Sequence, residues 1–268
     1  MARGFPLLGV WLGCCLCAAA APPLSYTVID SQAQNPGLFT QGLEIAGDRL
    51  YASSGLYGKS WIAAYKLESG TVVRTQRLPR SLFAEGLTLL QNRLYLLTWK
   101  AGRTLVFDPD DFTVLNTFHY TGEGWGLTHD GTHLIMSNGS EQLVWRDPAT
   151  FEPVRRLRIL HGERPRHQLN ELEYADGFIW ANVWQQDTIL KIHPTDGQVV
   201  AEADLSRLRR KTVTPDHNNV LNGIAYDPQR QAFWVTGKLW PKRYLVQFTE
   251  RAPAANPPRQ PPAALKPD

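Results

Sequence analysis

Residues 83–99 read Phe83-Ala84-Glu85-Gly86-Leu87-Thr88-Leu89-Leu90, then Gln91-Asn92-Arg93, then Leu94-Tyr95-Leu96-Leu97-Thr98-Trp99. Two apolar runs of strand length flank a short polar turn, the pattern of a β-hairpin. The centre of the first run, Glu85-Gly86-Leu87, returns as Gln41-Gly42-Leu43, Trp125-Gly126-Leu127, Asn170-Glu171-Leu172 and Asn222-Gly223-Ile224. The first members of these five phrases are 44, 40, 45 and 52 residues apart. A four-stranded propeller blade needs about that much chain.

Each repeat keeps one internal order. After the hairpin at 86–99 come a turn at Lys100–Arg103, a third strand at Thr104–Phe107, a turn at Asp108–Asp111 and a fourth strand at Thr113–Phe118. Asp147-Pro148 and His193–Gly197 hold the turn position of Asp108-Pro109 in later copies. The fifth copy stops near Phe248 without a fourth strand, while Tyr26–Asp30 is a spare strand ahead of the first copy. The expectation is an all-β, five-bladed β-propeller over residues 22–250. The N-terminal strand closes the ring by adding to the last blade, which removes an exposed edge.

Composition narrows the function. The chain has 268 residues, 43% hydrophobic, with 21 Gly and 19 Pro, as expected of a turn-rich globular protein. Arg3, the apolar run Phe5–Cys17 and the small residues Ala18–Ala21 read as a signal peptide over residues 1–21. The run is too short to span a bilayer. An uncleaved anchor and a lipidated cysteine are the alternatives. All three cysteines lie in this segment, so a mature chain has no thiol nucleophile, disulfide or thiolate metal site. Export without cysteines points to a bacterial periplasm. The formal net charge is +3, and the one basic run, Arg207–Lys211, reads as a solvated loop rather than a nucleic-acid patch. Residues 251–268, rich in Pro and Ala, read as a disordered tail. The expected state is a monomer with no membrane span after signal cleavage.

In a propeller the first strand of every blade lines the central channel. The phrase opens that strand, so Gln41, Glu85, Trp125, Asn170 or Glu171, and Asn222 are expected to ring one mouth. The second strand runs back antiparallel to the same mouth, bringing Trp99, Trp184 and Lys238. Phe39 and Phe83 precede two phrases and add apolar walls. Aromatic walls with a few convergent polar groups are the usual form of a small-ligand pocket. Strand alternation implies that only one of Asn170 and Glu171 faces the channel. The seven histidines show no metal-ligand spacing, and neither a nucleophile elbow nor a phosphate loop is present. No metal and no cofactor is expected. Acid–base chemistry is left; Glu85, in an apolar mouth that raises its pKa, is the first candidate proton carrier and Glu171 the second.

The phrases Phe39-Thr40-Gln41-Gly42-Leu43, Phe83-Ala84-Glu85-Gly86-Leu87-Thr88, Gly124-Trp125-Gly126-Leu127, Leu169-Asn170-Glu171-Leu172-Glu173, Ala181-Asn182-Val183-Trp184 and Leu221-Asn222-Gly223-Ile224-Ala225 carry a resemblance. From about Tyr26 to Phe248 the chain resembles the plant- and bacterial-type glutaminyl-peptide cyclotransferases (glutaminyl cyclases), which are five-bladed propellers. The resemblance implies conversion of the N-terminal glutamine of peptides or proteins to pyroglutamate with release of ammonia, at a metal-independent site. It implies Glu85 as general acid and base, and Gln41, Asn170 and Lys238 as holders of the carboxamide or its oxyanion. Trp99, Trp125 and Trp184, with Phe39 and Phe83, would wall the pocket. Two other functions fit a propeller with this mouth: a non-catalytic binder of peptides or sugars, and a hydrolase of lactonase or glycosidase type, which needs a metal cage or paired carboxylates.

Overall fold

The computed structural model describes residues 21–250. The signal-peptide expectation, Ala21 apart, and the tail expectation at 251–268 lie outside the described residues. The fold is all-β. Strand β1 (Pro23–Ala33) precedes three antiparallel four-stranded sheets. The first is β2 (Thr40–Ala46), β3 (Arg49–Ser54), β4 (Trp61–Lys66) and β5 (Val72–Arg77). The second is β6 (Ala84–Leu90), β7 (Arg93–Thr98), β8 (Arg103–Phe107) and β9 (Val114–His119). The third is β10 (Leu127–His129), β11 (Leu134–Met136), β12 (Gln142–Arg146) and β13 (Pro153–Arg158). A hairpin of β14 (Leu160–His161) and β15 (Arg164–Pro165) follows. Then come β16 (Leu169–Ala175), β17 (Phe178–Val183), β18 (Thr188–Ile192), β19 (Val199–Asp204), the helix α1 (Ser206–Thr212), β20 (Leu221–Asp227), β21 (Ala232–Gly237) and β22 (Lys242–Glu250).

β1 pairs antiparallel with β22, from Leu24 opposite Glu250 to Ala33 opposite Lys242. It therefore supplies the outer strand that β20–β22 lack. At Pro23 and Leu24 it also touches β19 in parallel, so the last two groups of strands share one eight-stranded sheet. The inner strands β2, β6, β10, β16 and β20 pack in that order, and β20 packs against β2, so the series returns to its start.

Burial follows this arrangement. Inner and middle strands are buried, whereas the outer strands β5, β9 and β13 are mostly exposed. Among the described residues the core consists of five clusters, each filling the gap between neighbouring groups of strands. Tyr51 and Ile62 meet Leu87 and Phe107; Tyr95 and Val106 meet Leu134 and Met136; Trp145 meets Ile179 and Leu190. Trp180 and Ala201 meet Phe233 and Val246, and Leu43 and Tyr65 meet Trp234 and Leu245, joining the last strands to the first sheet. Each large apolar side chain fully buried this way contributes about 1.5–3 kcal/mol.

The phrase glycines are needed where inner strands touch. A Cβ on Gly86 would lie 2.4 Å from Leu127 N, and one on Gly126 would lie 1.9 Å from Asn170 O. The fourth phrase carries Glu171 in the glycine's place. Its carboxylate accepts from Leu43 N–H at 3.1 Å and Ile224 N–H at 2.8 Å, tying the first and fifth phrases together.

The basic run departs from expectation. Arg207–Lys211 lies in α1 rather than a loop, and Leu208 and Arg209 are buried. Leu205 and Leu208 join the apolar cluster beneath the helix, and Arg209, Arg210 and Lys211 occupy its last turn, where the helix dipole favours cations. Among the described residues no helix is long and apolar enough to cross a membrane.

Candidate active site

Four of the five phrases carry a β-bulge where the first member stands. In β6 the register steps from Ala84 opposite Thr98 to Leu87 opposite Leu96, so Glu85 and Gly86 face Leu97 alone. Equivalent steps occur at Thr40/Gly42, Leu169/Leu172 and Leu221/Ile224. A bulge inserts an extra residue and re-aims its side chain. Gln41, Glu85 and Asn170 are aimed this way into one cavity of about 220 Å³.

The same cavity is lined by Phe39, Phe83, Trp99, Trp125, Trp184 and Lys238, the wall and second-strand residues singled out from sequence. Glu171 and Asn222 do not line it. As expected, one of Asn170 and Glu171 faces the cavity: Asn170 lines it, and Glu171, on the other side of the bulged strand, is buried between backbones. Asn222 lies one step behind the wall. It donates through Nδ2 to Thr40 O at 2.9 Å and to Gln41 Oε1 at 3.3 Å.

Sequence reasoning missed Leu56, Gln185, His217, Asn218 and Val220, which complete the lining. None belongs to a phrase. It also missed Glu123, whose Oε2 accepts from Trp99 Nε1 at 2.7 Å and Trp125 Nε1 at 3.0 Å. One carboxylate oxygen thus sets two of the cavity's indoles. Burial alone would raise the Glu123 pKa, but the Trp125 and Trp99 donors and the nearby Lys100 ammonium outweigh it and hold the pKa down.

The aromatic walls form two groups. Phe83 meets Trp99 with ring centres 5.4 Å apart and Phe39 at 6.4 Å, both edge to face. Trp125 meets Trp184 edge to face at 5.7 Å. Glu85 is only 5% exposed between these groups. Its Oε1 accepts from Gln41 Nε2 at 3.4 Å, a long contact. Desolvation drives its pKa well above the ordinary carboxylate range; the Lys238 ammonium offsets part of this and the Glu123 carboxylate adds to it. Lys238 is 6% exposed, with Nζ 4.8 Å from the centre of the Phe39 ring. Burial lowers its pKa, and Glu85 partly restores it. Asn170 Oδ1 is buried without a partner.

The arrangement offers one carboxyl poised to exchange a proton, one buried cation, two buried side-chain amides (Gln41 and Asn170) and a largely apolar enclosure. Among the described residues no group of three or more His, Cys, Asp or Glu side chains is placed to hold a metal ion.

The model of a family described as glutamine cyclotransferase matches residues 10–248. The chain belongs to the glutamine cyclotransferase family. Within this family it is similar to the glutaminyl-peptide cyclotransferase of Arabidopsis thaliana, 39% identical over 220 residues, which are 81% of this chain and 69% of that protein. Its fold is similar to the crystal structure of Myxococcus xanthus glutaminyl cyclase, with a TM-score of 0.79 and 33% identity over 87% of this chain and all of the other.

Proposed function

We propose that this family member is a five-bladed β-propeller enzyme that converts the N-terminal glutamine of peptides or proteins to pyroglutamate and ammonia. The observation that carries this reading is Glu85, buried among aromatic rings with its pKa raised, facing the same cavity as Lys238, Gln41 and Asn170. The blade count is supported by the five inner strands that pack in a closed series and by β1 completing the last sheet.

In the proposed reaction the aromatic walls hold the glutamine side chain curled toward its own α-amine, which supplies proximity. Glu85, ionised, takes a proton from the α-amine. The amine nitrogen attacks the side-chain carboxamide carbon, forming the ring C–N bond and placing negative charge on the carboxamide oxygen. Lys238 and the Gln41 amide stabilise that oxyanion. Asn170 Oδ1, otherwise without a partner, accepts from the carboxamide N–H₂. As the carbonyl re-forms, Glu85 returns the proton to the departing nitrogen and ammonia leaves. The raised pKa of Glu85 suits a group that must both accept and donate near neutrality.

The lining contains one carboxylate, which favours this chemistry over a glycosidase that needs two. On the sequence of residues 1–21 we also propose export to a bacterial periplasm, and a monomeric enzyme; N-terminal sequencing of the protein recovered from periplasm tests the first. Incubation with a glutamine-initiated peptide should release one ammonia per peptide, with or without chelator. Release no faster than the spontaneous cyclisation rejects the function.

A further inference from the structure

The fourth step between phrases, 52 residues, is the longest, and the excess lies between β19 and β20. There the chain spends residues 205–220 on α1 and a loop, against residues 78–83 between β5 and β6. The loop is built to be rigid. Arg209, buried beneath it, donates to Asp187 Oδ1 at 3.0 Å, Asp216 O at 2.6 Å and Asn219 Oδ1 at 3.1 Å. Asp216 Oδ1 accepts from the Asn218 and Asn219 N–H groups at 2.6 and 3.1 Å. Trp240 Nε1 donates to Asn219 O at 2.9 Å. This scaffold presents His217 and Asn218, both exposed, at the edge of the cavity. Gln185 Nε2 donates to His217 O at 3.2 Å, and the His217 ring meets Trp184 edge to face at 6.3 Å.

We infer that residues 205–220, with Gln185, form a subsite for the second residue of the substrate, so that the enzyme is built for peptide chains rather than free glutamine. This rests on the proposed function. A cavity of about 220 Å³ is smaller than the ~300–1,000 Å³ of drug-sized sites and suits one residue. The rest of a peptide must leave across the rim, where its backbone amides need polar partners. The aromatic walls are Phe39, Phe83, Trp99, Trp125 and Trp184, and the Trp99 and Trp125 indoles are already committed to Glu123. The polar stretch of the rim is Gln185, His217 and Asn218. Held in place before binding, it loses little entropy on engaging a chain.

The test compares ammonia release from glutamine amide and from a glutamine-initiated tetrapeptide by the wild type and by the Asn218→Ala, His217→Ala and Arg209→Lys variants, each checked by thermal melting. In all three the ratio of kcat/KM for the tetrapeptide to that for glutamine amide should fall about tenfold, chiefly through KM, the loss expected for one or two rim hydrogen bonds. Arg209 acts through the loop as a positioning residue, and a general loss of stability would lower both substrates alike. Equal losses on both substrates, or an unchanged ratio, overturn the subsite and leave the cyclase function standing. A wild type inert on both substrates overturns the function and the subsite together.

Discussion

Asn222 decides which end of the Gln41 side chain faces Glu85. Its Nδ2 donates to Gln41 Oε1 at 3.3 Å, so the Gln41 carbonyl is occupied and Nε2 points to Glu85 Oε1. A residue outside the cavity wall thus orients one inside it.

Replacing Asn222 by alanine should lower kcat about tenfold, the scale of one lost positioning hydrogen bond. Gln41→Ala should lower it too, and the double variant should be no worse than Gln41→Ala alone. Additive losses in that double-mutant cycle would show that Asn222 does not act through Gln41.

Glu85→Gln should keep the fold and lose about 10²–10⁴-fold in turnover, the range for removing a general acid–base group. In the wild type, activity should fall on the acid side as Glu85 protonates, at a pH above the ordinary carboxylate range because burial raises its pKa. Lys238 lowers that pKa, so Lys238→Met should move the acid limb of kcat/KM to higher pH. The substrate's α-amine titrates identically with both proteins, which isolates the shift. A limb that stays put would take the proton-transfer role away from Glu85.

Glu123→Ala removes the acceptor shared by Trp99 and Trp125. With both indoles free to turn, KM for a glutamine-initiated peptide should rise about 3- to 10-fold, and Glu123→Gln, which keeps an acceptor oxygen, should recover part of the loss. Steady-state kinetics with tryptophan fluorescence as the structural readout would check this; an unchanged emission spectrum in Glu123→Ala would count against it.

Away from the cavity, Glu44, Glu171 and Glu173 are buried near one another, and burial raises all three pKa values, that of Glu44 from 4.5 to about 7. Below pH 4.5 these groups are protonated in folded and unfolded chains alike. As pH rises from 4.5 through 7 the unfolded chain ionises first, so stability falls across that window. Glu44→Gln, which can still accept from Thr88 Oγ1, should raise the melting temperature by about 3–8 °C at pH 8 and by less than about 2 °C at pH 4.5. The same increment at both pH values would mean that Glu44 does not titrate in this window.

Much of the cavity was legible because it is assembled from one residue per repeat. Gln41, Glu85, Trp125 and Asn170 are all first members of the phrase, so counting the period was enough to gather them. Alternation required that one of Asn170 and Glu171 face the cavity, but not which one; the bulge between Leu169 and Leu172 makes that choice, and a bulge leaves no mark in the sequence. Asn222 opens its phrase, yet its side chain turns toward the neighbouring strand, a choice made by the Thr40 carbonyl and invisible in one repeat read alone. His217 and Asn218 belong to no repeat, and their only trace was the long fourth step. Arg209 looked solvated because nothing in a basic run marks the one member that will find Asp187 and two loop oxygens beneath it.

The pairing of β1 with β22 imposes an order of events. Of the described strands the first must wait for the last, since its ladder from Leu24 to Ala33 has no antiparallel partner until residues 242–250 exist. A nascent chain can zip each local hairpin as it emerges, but the final latch spans nearly the whole polypeptide. That closure is the slowest contact to form on topological grounds. Until it snaps shut, the protein carries an open sheet edge, the time when it is most exposed to aggregation.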